Sequence, residues 1–349
     1  MERYSHKERI MATLDGIVTD RPPVTAYRHF PQIEGNMEKL AETMIGWQEK
    51  YDWDFIKIHP SAVYMQEVWG DRFDFDHYQQ EVFPTKLKNV NGKVDLGIFT
   101  EKRIDNPYLQ EQISVVQQIT DHFQGEIPVF QTLFTPLQVI SGVFDCQFVR
   151  RHFPAKREEN EIFTIMKDRA KELQDALENI TDTYISYWKA LRERGADGVF
   201  YAGVSWAREN FMTLDEWETY IKKYDLKFLK EVQKDGGKVL YHTCGIQSNP
   251  QRFADFPIDI LHWDQGAEGN PSLKEGSKFL DKIIPMGGVD EMTFGNHAEK
   301  TIAEETRACV AANRNLPYIL APYCSISVHS TDAEIRAFRD NADCLSTIR

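Results

Sequence analysis

Residues Lys238 to Gly245, KVLYHTCG, read as a buried strand that ends by presenting His242 and Cys244 two positions apart. Side chains two apart on a strand leave the same face. An imidazole and a thiol aimed together at a strand end, ahead of a turn, form half of a zinc or thiolate site, because zinc takes nitrogen and sulfur donors. The other half must come from a distant part of the chain. Its best supplier is Cys324, in the similar strand-end context YILAPYC.

Outward from Lys238 the same unit recurs in both directions. Upstream, Thr213 and Glu216 have capping-box spacing, and the helix they open stops at Gly236-Gly237. Before it come strands at Gly198–Ala202 (GVFYA), Ile127–Phe134 (IPVFQTLF), Phe55–His59 (FIKIH) and Arg21–Phe30 (RPPVTAYRHF). Helical stretches separate them: one capped by Asn36, one carrying the stripe Leu109, Ile113, Val116, Ile119 and Phe123, and two or three pieces from Pro136 to Arg194. Ser5 with Glu8 opens a short N-terminal helix. Downstream, strands Ile258–Trp263 (IDILHW), Ile283–Met286 (IIPM) and Tyr318–Pro322 (YILAP) alternate with a helix capped by Ser272 and Glu275 and one over Glu299–Asn313. Thr331 with Glu334 caps the last helix.

Eight short apolar strands alternating with helices call for parallel strands joined by helical crossovers. No GxGxxG follows the first strand to mark a dinucleotide switch point, so the α/β fold expected is a closed (β/α)8 TIM barrel. An open doubly wound sheet is the alternative. No linker or low-complexity tract divides the chain, so residues 1–349 are expected to form a single domain. The stretch from Ala62 to about Glu101 fits the repeat poorly. Its Trp69, Phe73 and Phe75 suggest short extended pieces, and Asn91-Gly92 is a hairpin turn signal, so it reads as an insertion after the second strand.

The 42% hydrophobic and 27% charged residues suit a globular chain with a large core. A net charge of −13 argues against nucleic-acid binding, which needs clustered Lys and Arg. Five cysteines with no CxxC, a charged start MERYSHKERI and no long apolar run lead to the expectation of a cytoplasmic protein with reduced thiols and no membrane span; a monomer or homodimer is expected, though no residue pattern decides between them.

In a barrel the active site lies at the C-terminal strand ends, where His242, Cys244 and Cys324 all fall. A zinc ion with three protein ligands keeps a fourth position for substrate, and a thiol bound there is deprotonated near neutral pH. Two thiolate ligands leave a bound sulfur electron-rich, which suits alkyl transfer better than hydrolysis. The plain alternative is that HxC arises by chance and the cysteines are buried apolar residues. Tyr201, Trp206 and Arg208 follow the fourth strand and either shape a substrate pocket or pack. His329 could supply a fourth ligand or a proton, or be a merely exposed loop histidine. Cys146, Cys309 and Cys344 sit in helical contexts, and no chemistry is assigned to them.

YHTCG at Tyr241–Gly245, ILHWDQ at Ile260–Gln265, GGVD at Gly287–Asp290 and ILAPYCSI at Ile319–Ile326 resemble the uroporphyrinogen decarboxylase superfamily. The resemblance is strongest to its cobamide-dependent, zinc-containing branch, represented by methylcobamide:coenzyme M methyltransferase. It covers the C-terminal third well and the rest by strand order. The resemblance implies His242, Cys244 and Cys324 as zinc ligands, with the metal activating a thiol that accepts a methyl group from a corrinoid protein. It also puts Asp264 and Asp290 in the cavity lining, as general acid/base groups or as partners orienting a ligand. Otherwise Asp290 caps a turn and Asp264 closes a strand into solvent.

The chain departs from the family at Ser325, where glycine is usual, and at Ser330-Thr331, where Thr-Pro is usual. No DxHxxG motif is present, so any corrinoid would arrive on a separate partner protein. The true decarboxylases carry an arginine-rich loop after the first strand. Here only Arg28 stands there, flanked by Tyr27 and His29, and His59 replaces their aspartate after the second strand. Tyr27, Arg28 and His59 are therefore the substrate-facing candidates. The expected activity is zinc-dependent methyl transfer to a small thiol or related one-carbon acceptor. One alternative is a lyase acting on a porphyrinogen or smaller carboxylate. Another is a non-catalytic barrel whose structural metal supports binding of a partner protein.

Overall fold

The computed structural model describes residues 4–79, 81–88, 95–145, 156–204, 206–208 and 210–343. Asn91-Gly92, Cys146 and Cys344 lie outside the described residues. Nine strands are described: β1 Ile56–Lys57, β2 Arg72–Gln79, β3 Phe83–Lys88, β4 Val129–Phe134, β5 Gly198–Val204, β6 Lys238–Thr243, β7 Ile260–His262, β8 Ile284–Val289 and β9 Ile319–Pro322. Seven of them form one curled parallel sheet in the order β1-β4-β5-β6-β7-β8-β9, and β2 with β3 makes a separate antiparallel hairpin. The parallel strands are covered on both faces, so their sequences run apolar without alternation.

The four capping boxes read from the sequence all form. Ser5, Thr213, Ser272 and Thr331 each accept from the backbone N–H three residues on, and the glutamate there reaches back to the cap. The helix opened by Thr213 is interrupted: Leu214–Trp217 passes through a π turn at Glu218–Lys222 before Lys223–Lys234.

Residues 21–30 do not form the regular strand expected of them. They contribute a single parallel bridge, Val24 to Leu320, because Pro22 and Pro23 have no N–H to donate to a ladder. Hydrogen bonds nevertheless run from this segment to both sides. Leu320 N donates to Pro23 O at 2.8 Å and Thr25 N to Leu320 O at 3.2 Å, while Asp54 N donates to Val24 O at 2.9 Å. Asp54, fully buried ahead of β1, gathers Arg9 Nη1 at 2.7 Å, Val24 N at 2.7 Å and the Arg21 guanidinium. Burial alone would raise its pKa, but the His6 hydrogen bond and the two guanidinium charges hold it far below the usual carboxylate range.

The core has two layers. Tyr27, Phe55, Phe130, Phe200, Leu240, Ile260, Met286 and Ile319 meet on the concave side of the sheet, and a larger cluster fills the space between sheet and helices. The hairpin between β1 and β4 is fastened by Lys86 Nζ, which lies 2.9 Å from Asp71 and 2.7 Å from Asp145. No described helix is long and apolar enough to cross a membrane.

Candidate metal centre and active site

On β6 the inward positions are Leu240 and His242, while Val239 and Tyr241 face the helices. Cys244 follows the strand end, its N–H donating to Val204 O at 2.7 Å, and Gly245 turns the chain away at φ +84°. Cys324 stands in the matching place after β9, where Tyr323 N donates to Val289 O at 2.9 Å. Strand ends far apart in sequence thus deliver three donors to one point. Cys244 Sγ lies 4.0 Å from Cys324 Sγ, which lies 3.8 Å from His242 Nε2, and all three donor atoms fall within 4.8 Å of one another. A tetrahedral zinc ion with its usual bond lengths would set sulfur–sulfur and sulfur–nitrogen separations of about 3.6–3.8 Å. The donor set and spacing fit that ion, and both cysteines are free of disulfides.

The Cys244 thiol donates to Cys324 Sγ. The hydrogen bond from Cys244 holds the Cys324 thiol well below its usual pKa against the effect of burial, and His242 adds to this. Cys244, as the donor, is pushed well above its usual value by that same bond and by burial, with the charges of Cys324, Glu291 and Asp264 contributing. The His242 ring is held by packing. Its centroid lies 4.6 Å from that of His262 and 5.5 Å from that of Phe200, and its buried Nδ1 has no hydrogen-bond partner among the described residues.

His262, beside His242 in register on β7, is a residue the sequence reading passes over. Its Nδ1 lies 2.9 Å from the Tyr27 hydroxyl and its Nε2 lies 2.9 Å from Pro322 O. The signal for it lies in the motif: a histidine at inward parity ending a buried strand needs partners at both nitrogens. Lys57 is missed as well. Its Nζ sits 2.7 Å from His59 Nδ1, with the Tyr27 and Phe200 ring centroids at 4.5 and 4.3 Å.

The other candidates divide. Tyr27 and His59 are buried with their rings 5.8 Å apart, Tyr27 bonded to His262 and His59 to Lys57. Arg28 Nη1 donates to the carbonyls of Val328 and Ser330, and its guanidinium lies over Phe30 and Trp47, so it ties the first segment to the loop after β9. Tyr201 faces the helical layer instead of a pocket, because the inward positions of β5 are Phe200 and Ala202; its hydroxyl donates to Asp225 Oδ1 at 2.9 Å. Trp206 is buried with Nε1 donating to Gln138 Oε1, and Arg208 is partly buried nearby in sequence. Asp264 is buried, not solvent-facing, and its Oδ1 accepts from Gly266 N and Ala267 N, both at 2.9 Å. Asp290 Oδ1 accepts from Met292 N at 2.8 Å and caps the short turn after β8. His329 is exposed and lies 3.4 Å from Glu81 on the hairpin.

The fold is a curled parallel α/β sheet whose strand ends bring together a histidine and two cysteines, a donor group that could hold a metal ion. The family model described as uroporphyrinogen decarboxylase (URO-D) matches residues 5–344, and the chain belongs to that family. Among solved structures the chain resembles a methyltransferase from Methanosarcina mazei, with a TM-score of 0.75 and 18% identity over 99% of this chain and 100% of that one. It also resembles a B12-independent methionine synthase from Shewanella sp. W3-18-1 in complex with selenomethionine, with a TM-score of 0.55 and 11% identity over 93% and 98% of the two chains. At these identities the likeness concerns the fold. No curated protein matches the sequence.

Proposed function

We propose that this chain is a zinc-dependent methyltransferase that moves a methyl group from a corrinoid on a separate protein to a small thiol or related one-carbon acceptor. The observation carrying the reading is the convergence of His242 Nε2, Cys244 Sγ and Cys324 Sγ within 4.8 Å. The structural neighbour from M. mazei is a methyltransferase, which agrees with it. Zinc held by these donors supplies Lewis acidity that lowers the pKa of a thiol brought to its remaining position. Phe200 and His262 fix the His242 ring, and Tyr27 in turn fixes His262. Asp264 and Asp290 hold the turns that frame the site. We read Pro23–Thr25, bonded to β9 on one side and to Asp54 before β1 on the other, as the eighth member that closes a (β/α)8 barrel in one domain.

The experiment is elemental analysis of protein purified without added metal, wild type beside His242→Ala, Cys244→Ser and Cys324→Ser. About one zinc per chain in the wild type, lost in each variant while circular dichroism persists, supports the reading. A folded wild type that stays metal-free after reconstitution overturns it. Unfolding on chelation would point instead to a structural metal. The decarboxylase reading rests on the family name. A polycarboxylate needs several bidentate arginines, and Arg28, the arginine offered after the first segment, gives its Nη1 to two carbonyls.

A further inference from the structure

We propose that Lys57 and His59 together form the base that takes the proton lost by the acceptor thiol. The inference rests on the methyl-transfer reading above and adds the proton's destination to it.

Lys57 is the inward residue between Ile56 and Ile58, which both face the helices. It is 5% exposed, and among the described residues no carboxylate stands within ion-pair distance of its Nζ. Its hydrogen-bonding partner is His59 Nδ1 at 2.7 Å. The rings that bracket it are those that border the metal centre: Phe200 packs on His242, and Tyr27 bonds to His262. A buried ammonium with no carboxylate beside it is costly, which favours the amine. Burial lowers its pKa well below the ordinary lysine value, and Cys324 is the group that pushes the other way. The titratable groups facing it are His59 from its own segment, Tyr27 from the first segment, His262 from β7 and Cys324 after β9.

Among the imidazoles near the donor group, His59 is the one left for this role. His242 is committed to the metal centre, and His262 is already satisfied at both nitrogens by Tyr27 and Pro322. Two neutral bases sharing one short hydrogen bond can take a proton as a charge-assisted pair. His59 is in turn held by packing. The His29 ring meets His59 edge to face with centroids 4.1 Å apart, His29 Nδ1 lies 2.9 Å from Glu34 Oε1, and Glu34 Oε2 accepts from the Tyr78 hydroxyl at 3.2 Å on the hairpin. In the step, the thiol S–H bond breaks and the proton forms an N–H bond on the pair. The electron pair left on sulfur forms the S–C bond as the methyl–cobalt bond of the corrinoid breaks, its electrons staying on cobalt.

The test has two arms. In metal-free wild type labelled with 13C at lysine Cε, the Lys57 signal, assigned by its loss in Lys57→Met, is expected to titrate well below the other lysines, which titrate near 10.4. Titration with the rest overturns the proposal. In zinc-loaded protein, the thiolate absorbance of added 2-mercaptoethanol is followed against pH in wild type, Lys57→Met and His59→Leu. An upward shift of the midpoint by about one unit or more in either variant, with zinc content unchanged, supports the pair. Equal midpoints overturn this inference alone. A wild type that binds neither zinc nor thiol removes the methyl-transfer reading and this inference with it.

Discussion

The Tyr27 hydroxyl lies 2.9 Å from His262 Nδ1, and His262 Nε2 lies 2.9 Å from the Pro322 carbonyl, so one imidazole spans from the first segment to β9. A carbonyl only accepts, so Nε2 carries the proton and Nδ1 takes the tyrosine's hydrogen. Tyr27→Phe strands that buried acceptor and is expected to cost roughly 1–3 kcal/mol of stability. It also frees the ring that packs on His242, so zinc is lost to a chelator about tenfold more readily. Urea denaturation and chelator competition check both effects. Unchanged values in both would remove the spanning role.

Metal-free protein should show the two thiols behaving unlike each other. The Cys324 pKa is held below that of an ordinary thiol and the Cys244 pKa above it, so iodoacetamide is expected to modify Cys324 faster near neutral pH than Cys244, or than Cys309, which burial pushes to about 11. Cys244→Ala removes the hydrogen bond that most lowers the Cys324 pKa and should move its alkylation midpoint toward the ordinary thiol value of about 8.5. Peptide mass mapping across pH gives the answer. A midpoint that ignores Cys244 would mean the two sulfurs are not hydrogen-bonded.

The pair Gly287-Gly288 is explained by close approach. Gly288 has φ +131°, and a Cβ there would stand 2.5 Å from Cys309 Sγ. Gly288→Ala should destabilise the protein by roughly 2 kcal/mol, and adding Cys309→Ala should restore only part, since the backbone strain remains. Thermal melts of the single and double variants test this. Full recovery in the double variant would refute the strain component.

Asp225 sets a pH dependence of opposite sign to that of most carboxylates. It is buried, accepts from the hydroxyls of Tyr201 and Tyr241, and burial raises its pKa to about 7. Between the unfolded value of about 3.9 and 7, the folded chain binds more protons. The contribution is therefore complete below about pH 3.9 and is lost as pH rises through 7, a change of roughly 4 kcal/mol. Asp225→Asn should gain on wild type by that order between pH 4 and 8. Denaturation midpoints at both pH values measure it, and parallel pH curves would exclude a titrating Asp225.

The parts legible in the sequence are those with local rules. Four Ser/Thr-x-x-Glu caps, seven parallel strands and the approach of Cys324 to the HxC pair follow from spacing and strand-end position. Side-chain facing is harder. Tyr201 reads as a pocket residue, but it lies one residue out of phase with Phe200, and parity along a strand covered on both faces leaves no polarity signal to read. Lys57 escapes notice because a single lysine in FIKIH looks like a solvated residue. Its phase with Phe55, against Ile56 and Ile58, is what carries it inward. Asp290 caps the turn after β8, one of its two sequence readings, whereas Arg28 gives its Nη1 to loop carbonyls that no sequence rule locates in advance.

Cys324 lies 80 residues beyond Cys244. At about 5–20 residues per second of synthesis, roughly 4–16 s separate the appearance of the first two donors from that of the third. During that interval His242 and Cys244 are a two-donor fragment on a sheet whose last strand, β9, has not yet been made. The complete donor set is therefore among the last features of the molecule to exist. Any ion that these donors hold is captured late in biosynthesis and does not serve as a nucleus around which the chain folds.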